Sequence, residues 1–530
     1  MYSCKNCAGI LQYDIESGKL KCSHCKSLFD PYEVSGEKEA GEESEYEVTV
    51  FTCPQCAGKI YSMDTQALAY CSFCGASSVL EGRLEHMERP KYIIPFTVSK
   101  EDCKRIYHEK LKRENYVPNW LRDAERIDSF RGIYVPYWIY NASQKGPVEI
   151  LATKTIENSI DKVKGYTVYG DLECEYRGVA FDASQAFEDE ISEQLAPYDM
   201  RKLQEFSLAF LSGFYADIAD VKEDVYMSQA EELINRATTS FIDTQPELYG
   251  YNVEHTPYAS DSYHTLMGKA ELAMFPVWLL TYRRNGRVAY VAINGQSGKM
   301  AAKLPIDRTK YIVRSMLYAL PLYAALSAIV LLLGDGMGSH ILSYVMSVII
   351  LIVTGEYGFN MKSIWETDSL TLDKGYRSGK GEEVNQWKRK NKFFDATNMW
   401  IIVGGLLGIV TYTFAFDFGI NGSLGMSDMV HFLVSLGLAF FAVPVFVCVK
   451  EAFREINDSG IIHGVWWLLA AFIIQLLSFM IGVSQIIRYV AMIISSLLCI
   501  SVILKLLKYH NRLTTRKLPQ YKYEGGDNNV

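Results

Sequence analysis

The 530 residues carry none of the short signatures of nucleotide or hydrolytic chemistry. There is no phosphate-binding Gly-rich loop, no dinucleotide fingerprint, no His-Glu-x-x-His and no Gly-x-Ser-x-Gly, each of which sets donors, metal ligands or a nucleophile in one fixed place. Histidine is scarce, with 9 in the chain. His255 and His264 flank a polar loop with Asp261 at a spacing that fits no metal motif, and Asp189-Glu190 reads as helix surface, so no enzyme is expected. No apolar stretch separates Met1 from Cys4, so a signal peptide is not expected. A basic footprint is lacking as well. Residues 1–89 hold eight Lys and Arg against fourteen Asp and Glu, and the whole chain carries −8. Nucleic-acid affinity comes largely from phosphate neutralisation, so a membrane-tethered nucleic-acid binder is only the third reading.

What is present begins with cysteine. Cys4 and Cys7 are followed after 14 residues by Cys22 and Cys25, and Cys53 and Cys56 after the same 14 by Cys71 and Cys74. The offset is 49 at all four positions, and Ala8, Gly9 and Ser23 recur as Ala57, Gly58 and Ser72, which marks a duplication. A Cys-x-x-Cys turn puts two thiolates on one knuckle, and a short hairpin arm brings a second knuckle opposite to close a tetrahedral cage. Two zinc ribbons are therefore expected, each holding one structural Zn(II). Disulfides and redox-active pairs are the competing readings. A reducing compartment disfavours the first, and four copies at ribbon spacing disfavour the second. His24, inside a knuckle, is an alternative ligand to Cys25. Each Zn(Cys)4 centre adds about −2 to an already acidic segment, which favours protein contact or structural capping over DNA or RNA.

Composition divides the remainder. Mean hydropathy is +0.01 overall, the average of a polar front and an apolar back. Ser35 to Glu47, SGEKEAGEESEYE, reads as a solvated linker. From about 91 to 309 an α+β region is expected. Ser99 and Asp102 open a helix running to about Arg113. GIYVPYWIY at 132–140 reads as a strand, with more strands at 147–156 and 164–181. A helical stretch is expected from Ser184 through Thr239. MFPVWLLTYRR and RVAYVAIN then form a hairpin about Asn285-Gly286. Val135-Pro136-Tyr137-Trp138 and Phe275-Pro276-Val277-Trp278 share Pro-x-Trp, a hint of two copies of one sheet motif, and proline within a strand points to an edge or a bulge. The aromatic residues supply core area or line a groove.

Apolar runs near 312–333, 340–359, 399–418, 429–449, 464–482 and 486–507 each approach 20 residues, enough to cross roughly 30 Å of hydrocarbon. Six transmembrane helices are expected. Their inner flanks hold twenty Lys and Arg, from Lys303 to Lys522, against Arg488 on the other side, so both termini are expected to be cytoplasmic. The segment 387–394, WKRKNKFF, is either an interfacial grip on anionic lipid or an ordinary basic flank. Few polar groups fall at mid-helix, Gln475 and Ser478 among them, so a transporter or channel with regulatory zinc ribbons is the second reading.

The chain resembles a bacterial, largely Gram-positive family of multi-pass membrane proteins with TFIIB-type zinc ribbons. The likeness rests on the Cys-x-x-Cys pairs, IIPFTVSKEDCKRIYHEKL, FRGIYVPYWIYNA, LAPYDM with LSGFYADIADV, and FPVWLLTYRRNGR with INGQSGKMAAKLPID. Members are often labelled primosomal helicases; this chain has no helicase motif. Some relatives look like membrane anchors that recruit phage-shock-type proteins during envelope stress. The resemblance thus implies an adaptor or scaffold with a cytosolic protein partner at the inner face of the cell membrane. The doubled ribbon and six helices depart from simpler members. The expected organisation is a multi-domain chain: ribbon 1 at 1–34, linker 35–47, ribbon 2 at 48–89, a cytosolic α+β domain at 90–310, a six-helix transmembrane domain at 311–508 with an inner loop at 360–398, and a tail at 509–530. The expected metal ligands are Cys4, Cys7, Cys22, Cys25, Cys53, Cys56, Cys71 and Cys74.

Overall fold

The computed structural model describes residues 2–35, 45–55, 58–62, 71, 73, 81–122, 130–155, 163–185, 187–254, 263–284, 287–333, 335–368, 446, 459–478, 484–514 and 516–517. The apolar runs at 399–418 and 429–449, save Phe446, lie outside them, as do most of the inner loop and the tail beyond 517.

The chain opens with a small antiparallel sheet of β1 (Leu11–Asp14), β2 (Lys19–Cys22) and β3 (Leu28–Phe29), followed by a short helix α1 (Pro31–Ser35). Next come β4 (Glu45–Thr52), β5 (Lys59–Ser62) and β6 (Glu81–Glu88), the arms of the second cysteine set. The central region continues with β7 (Tyr92–Ile93), α2 (Lys100–Arg113), β8 (Arg131–Thr155), β9 (Val163–Asp182), α3 (Asp189–Leu195), β10 (Gln204–Glu205), β11 (Tyr215–Asp217) and α4 (Met227–Asp243). It closes with β12 (Asn252–Glu254), β13 (His264–Met267), β14 (Glu271–Arg284), β15 (Arg287–Asn294) and β16 (Met300–Ala302).

One mixed sheet organises this region, with the path β10-β7-β14-β8-β11-β5-β4-β6. Because β5 pairs with β11, hydrogen bonding runs unbroken from the second cysteine set into the central strands, across the expected boundary at 89 and 90. Strands β8 and β14 pair antiparallel at the centre and are buried on both faces from Gly132 to Tyr140 and from Leu272 to Leu280. Side chains alternate with the strand period of two. Ile133, Val135, Tyr137, Phe275, Val277 and Leu279 pack with Ile191 and Leu195 of α3 on one face. On the other, Tyr134, Met274, Trp278 and Leu280 pack with Cys103, Tyr107 and Leu111 of α2, while Trp138, Tyr140 and Leu272 pack with Tyr226 and Ala230 at α4.

The Pro-x-Trp echo is structural. The orders β7-α2-β8-β9 and β11-α4-β14-β15 are two copies of one unit, interlocked by exchange of their short strands. Strand β7 pairs parallel with Ala273 and Met274 of the second unit, and β11 with Ile133 and Tyr134 of the first. Ala183 N–H donates to Pro136 O at 2.7 Å, and Gly295 N–H to Pro276 O at 2.8 Å. Trp138 Nε1 donates to Val221 O at 2.7 Å, and Trp278 Nε1 to Val98 O at 2.9 Å. The expectation of edge prolines is corrected here, since both lie in the two central strands. Each sits where its strand changes partner, from β11 to β9 beside Pro136 and from β7 to β15 beside Pro276. The missing N–H falls in that gap, so no ladder bond is lost.

The expected helix from Ser184 to Thr239 is likewise corrected to two helices, α3 and α4, with β10 and β11 between them. Pro197 and Gly213, the latter at a φ of 93°, break the helical path. The capping box Ser99/Asp102 of α2 and the hairpin of β14 and β15 are as expected.

Among the described residues, the C-terminal part holds α5 (Arg308–Leu333), α6 (Asp335–Asp368), α7 (Ser459–Ser478) and α8 (Gln485–Leu513), after which β17 (Arg516–Lys517) returns to pair with β15. Among the described residues, two stretches are long and apolar enough to cross a membrane, Leu342–Met361 and Gln485–Asn511, with His463–Ser478 a shorter apolar helix. Six membrane-spanning helices are not established by these. Helices α6, α7 and α8 pack together around Tyr357, Leu468, Phe472 and Val502.

Candidate metal centre

Cysteines 4, 7, 22 and 25 converge at one end of the small sheet, their four sulfurs all within 4.8 Å of one another. Cys4 Sγ lies 3.5 Å from Cys25 Sγ, and Cys7 Sγ 3.4 Å from Cys22 Sγ. A tetrahedron with metal–sulfur bonds of about 2.3 Å has edges of roughly 3.8 Å, so the donor set fits one metal ion without rearrangement.

The backbone explains why these thiols meet. Each knuckle turns through a residue with positive φ, Ala8 at 57° and Lys26 at 62°. Cys4 N–H donates to Gly9 O at 2.7 Å and Cys22 N–H to Ser27 O at 3.0 Å. Backbone N–H groups also point at sulfur, Asn6 to Cys4 Sγ at 3.4 Å and Cys25 to Cys22 Sγ at 3.5 Å. Such donors neutralise part of the thiolate charge and orient the ligands. Gly9 leaves room for the cage, since a Cβ there would stand 3.0 Å from Cys22 Sγ and 3.4 Å from Cys7 Sγ.

Electrostatics separates the thiols. The Ser27 hydroxyl and N–H hold Cys25 down to about 6, in the range where thiolate forms readily. At Cys7 the Gly9 backbone N–H favours the thiolate, but the crowding thiols of Cys22 and Cys25 outweigh it and push the group up to about 11. Four acidic groups this close cannot all ionise unless a cation joins them, which is the behaviour of a metal cage. His24 is exposed in the knuckle and is not among the four converging residues.

The second set is described in part. Cys53 and Cys71 are buried, and Cys53 N–H donates to Gly58 O at 2.9 Å, reproducing the Cys4–Gly9 turn at the 49-residue offset. Cys56 and Cys74 lie outside the described residues.

Both cysteine units hold the same segment of the central region, a relation that no sequence signal announces. From the first, Tyr13 N–H donates to Ser212 O at 2.9 Å, Tyr32 Oη donates to Glu205 O at 2.8 Å, and both rings pack on Phe210. From the second, β5 pairs with β11 and Ser62 Oγ donates to Phe214 O at 3.4 Å. A buried acid ends this segment. Asp217 accepts from Ser184 Oγ and, at 2.9 Å, from Ile218 N–H, yet burial and the nearby Asp220 and Asp182 carboxylates push it well above the usual carboxylate range.

No protein-family model and no solved structure matches the chain. A Bacillus subtilis (strain 168) protein described as uncharacterized protein YdjG is 26% identical over 340 residues, which span 98% of that protein and 63% of this chain. Fold and site together define a sheet-rich protein with a tetracysteine centre docked on the sheet, followed by apolar helices, two of which, among the described residues, are long enough to span a membrane.

Proposed function

We propose that this is a membrane-anchored adaptor, in which two zinc ribbons on a cytosolic sheet domain present a rigid surface to a protein partner at the inner face of the cell membrane, in the setting of envelope stress. The observation that carries the reading is the orientation of the first ribbon. Leu11, Tyr13, Leu20 and Cys22 are buried against the sheet domain, whereas both knuckle tips, residues 5–8 and 23–26, face solvent. A metal that fixes exposed backbone on a fixed base is suited to recognition. A Cys4 donor set at tetrahedral spacing favours Zn(II), and the repeated Cys53–Gly58 turn supports a second ion.

The anchor has its own support. Ile306 N–H donates to Asn511 Oδ1 at 2.7 Å, and Asn511 Nδ2 donates to Ile306 O at 2.8 Å. This clamp joins the chain just before α5 to the end of α8, which fits an even number of crossings between them, and the count of six is even. The excess of Lys and Arg on that side fits a cytoplasmic placement. Crosslinking in cells, followed by comparison of what copurifies with wild type and with a Cys4→Ser, Cys7→Ser variant inserted at equal levels, tests the adaptor. A partner lost only from the variant is expected; an identical partner list for both forms sinks it.

A second reading, a solute path, draws on a polar seam between α6, α7 and α8. Gln475 Nε2 donates to Ser495 Oγ at 3.1 Å, and Ser343, Ser347, Thr354, Gln475 and Ser495 are all fully buried. Solute flux in proteoliposomes, abolished by Gln475→Leu, is its test.

A further inference from the structure

The soluble and apolar parts of the chain meet at a junction whose chemistry is set by three segments. The loop after α2 lies beside the first turns of α5. Asp307 N–H donates to Tyr116 O at 2.6 Å, and Lys310 Nζ reaches Val117 O at 2.7 Å and Asn119 Oδ1 at 2.6 Å. The Tyr116 and Tyr311 rings are 5.7 Å apart, and the Arg314 guanidinium lies over Tyr116 at 5.7 Å and over Tyr318 at 5.8 Å. On the α8 side, Lys505 lies over Trp467 at 4.1 Å, and Lys508 is exposed.

Beyond this junction α5 turns apolar on its outside, with Val313, Met316, Leu317 and Leu320 more than half exposed. Six residues from Arg308 to Arg314 rise roughly 9 Å along the helix axis. That is close to the thickness of one headgroup layer, about 5–8 Å on each side of the hydrocarbon. Tyr116 and the end of α2 therefore stand at headgroup depth if α5 crosses the bilayer.

Three cations at this level stand without an acid partner. Lys112 and Arg113 close α2, and Arg308 opens α5; all three are exposed and none meets a carboxylate among the described residues. Elsewhere on the sheet region Lys91, Arg105, Lys145 and Arg201 each pair with an acid. Within this loop Lys110 pairs with Glu114, and Arg122 Nη2 donates to Leu111 O at 3.0 Å, already covering a terminal carbonyl of α2. Lys112, Arg113 and Arg308 thus bring three cations without a carboxylate partner, close to tyrosine, to the place where a chain of net charge −8 approaches the membrane. Cations near a helix C-terminus also favour the helix dipole, but that gain does not depend on lipid.

We propose that Lys112, Arg113 and Arg308, with Arg314 and Tyr116 between them, form a seat for anionic phospholipid headgroups that fixes the sheet domain against the membrane. The seat rests on the reading that α5 spans the bilayer. Basic side chains at this depth are drawn to anionic lipid, and amphipathic rings settle at the interface.

Hydrogen exchange of the full-length protein in nanodiscs tests it, with phosphatidylcholine alone compared with phosphatidylcholine containing phosphatidylglycerol. Peptides covering 108–122 are expected to exchange several-fold more slowly in the anionic discs. That difference is expected to vanish in a Lys112→Glu, Arg113→Glu variant and at about 1 M salt, where the screening length falls to roughly 3 Å. Equal exchange in the two lipids, or a difference that survives charge reversal, overturns the seat. Peptides from 312 to 330 serve as the separate control on spanning: slow exchange in both lipids upholds it, whereas fast exchange in both removes the spanning reading and the seat with it.

Discussion

Stripping the metal from the first ribbon is expected to loosen residues 205–217 of the central region and to leave residues 94–98, which follow β7, nearly unchanged. Strands β7 and β11 hold equivalent places in the interlocked units, but only the segment leading into β11 is held by both cysteine units, and residues 94–98 stand clear of the β10–β7 pairing at Tyr92 and Ile93. Without its ion the first ribbon has little to keep it folded, since structural zinc supplies most of the stability of such small units. Its collapse removes two hydrogen bonds to the segment, Tyr13 to Ser212 and Tyr32 to Glu205, at about 1 kcal/mol each. It also uncovers Phe210 where Tyr13, at 9% exposure, now shields it, for about 2 kcal/mol more. Roughly 4 kcal/mol of lost local stability corresponds to about a thousandfold faster exchange in segments that open locally. Hydrogen exchange with mass spectrometry on full-length protein, before and after a Cys4→Ser, Cys25→Ser exchange, reads both segments in one experiment. Equal acceleration at 94–98 and 205–217, or no acceleration at either, refutes the reasoning.

Two further outcomes follow from the sheet. Asp217 has a raised pKa when folded, chiefly through burial and then through Asp220, so the folded state binds its proton more tightly and stability falls as pH rises past the unfolded value of about 4. Asp217→Asn is therefore expected to stabilise the protein at pH 7, with the gain disappearing below about pH 4 in denaturation curves; a gain independent of pH contradicts the assignment. Trp138→Phe and Trp278→Phe each remove one indole donor to an equivalent carbonyl, and both are expected to cost about 1–2 kcal/mol; a cost confined to one of them breaks the equivalence of the two units.

Local features were readable in the sequence where one residue type has one physical use. The cysteine spacing announced the cage, Ser99 and Asp102 announced α2, and the alternating run around Asn285-Gly286 announced β14 and β15. The Pro-x-Trp echo hinted at the repeat but not at its interlocking, because the partners of β7 and β11 lie far along the chain and short strands leave no periodicity of their own. For the same reason the stretch from Ser184 to Thr239 read as helix. Its helical propensity is local, while β11 exists through pairing with β8 and β5. The proline positions misled because the rule against central prolines assumes a strand with one continuous neighbour on each side. The Asn511 clamp and the return of β17 to β15 carry no signal in composition, being single contacts across about two hundred residues.

The most direct test of the account is the metal content of the purified full-length protein, read by elemental analysis with X-ray absorption at the metal edge. Two zinc ions per chain, each surrounded by four sulfurs, are expected, falling to one in a Cys53→Ser, Cys56→Ser variant that inserts normally. A single ion in the wild type, or a metal held by fewer than four sulfurs, contradicts the pair of ribbons on which the proposed function stands.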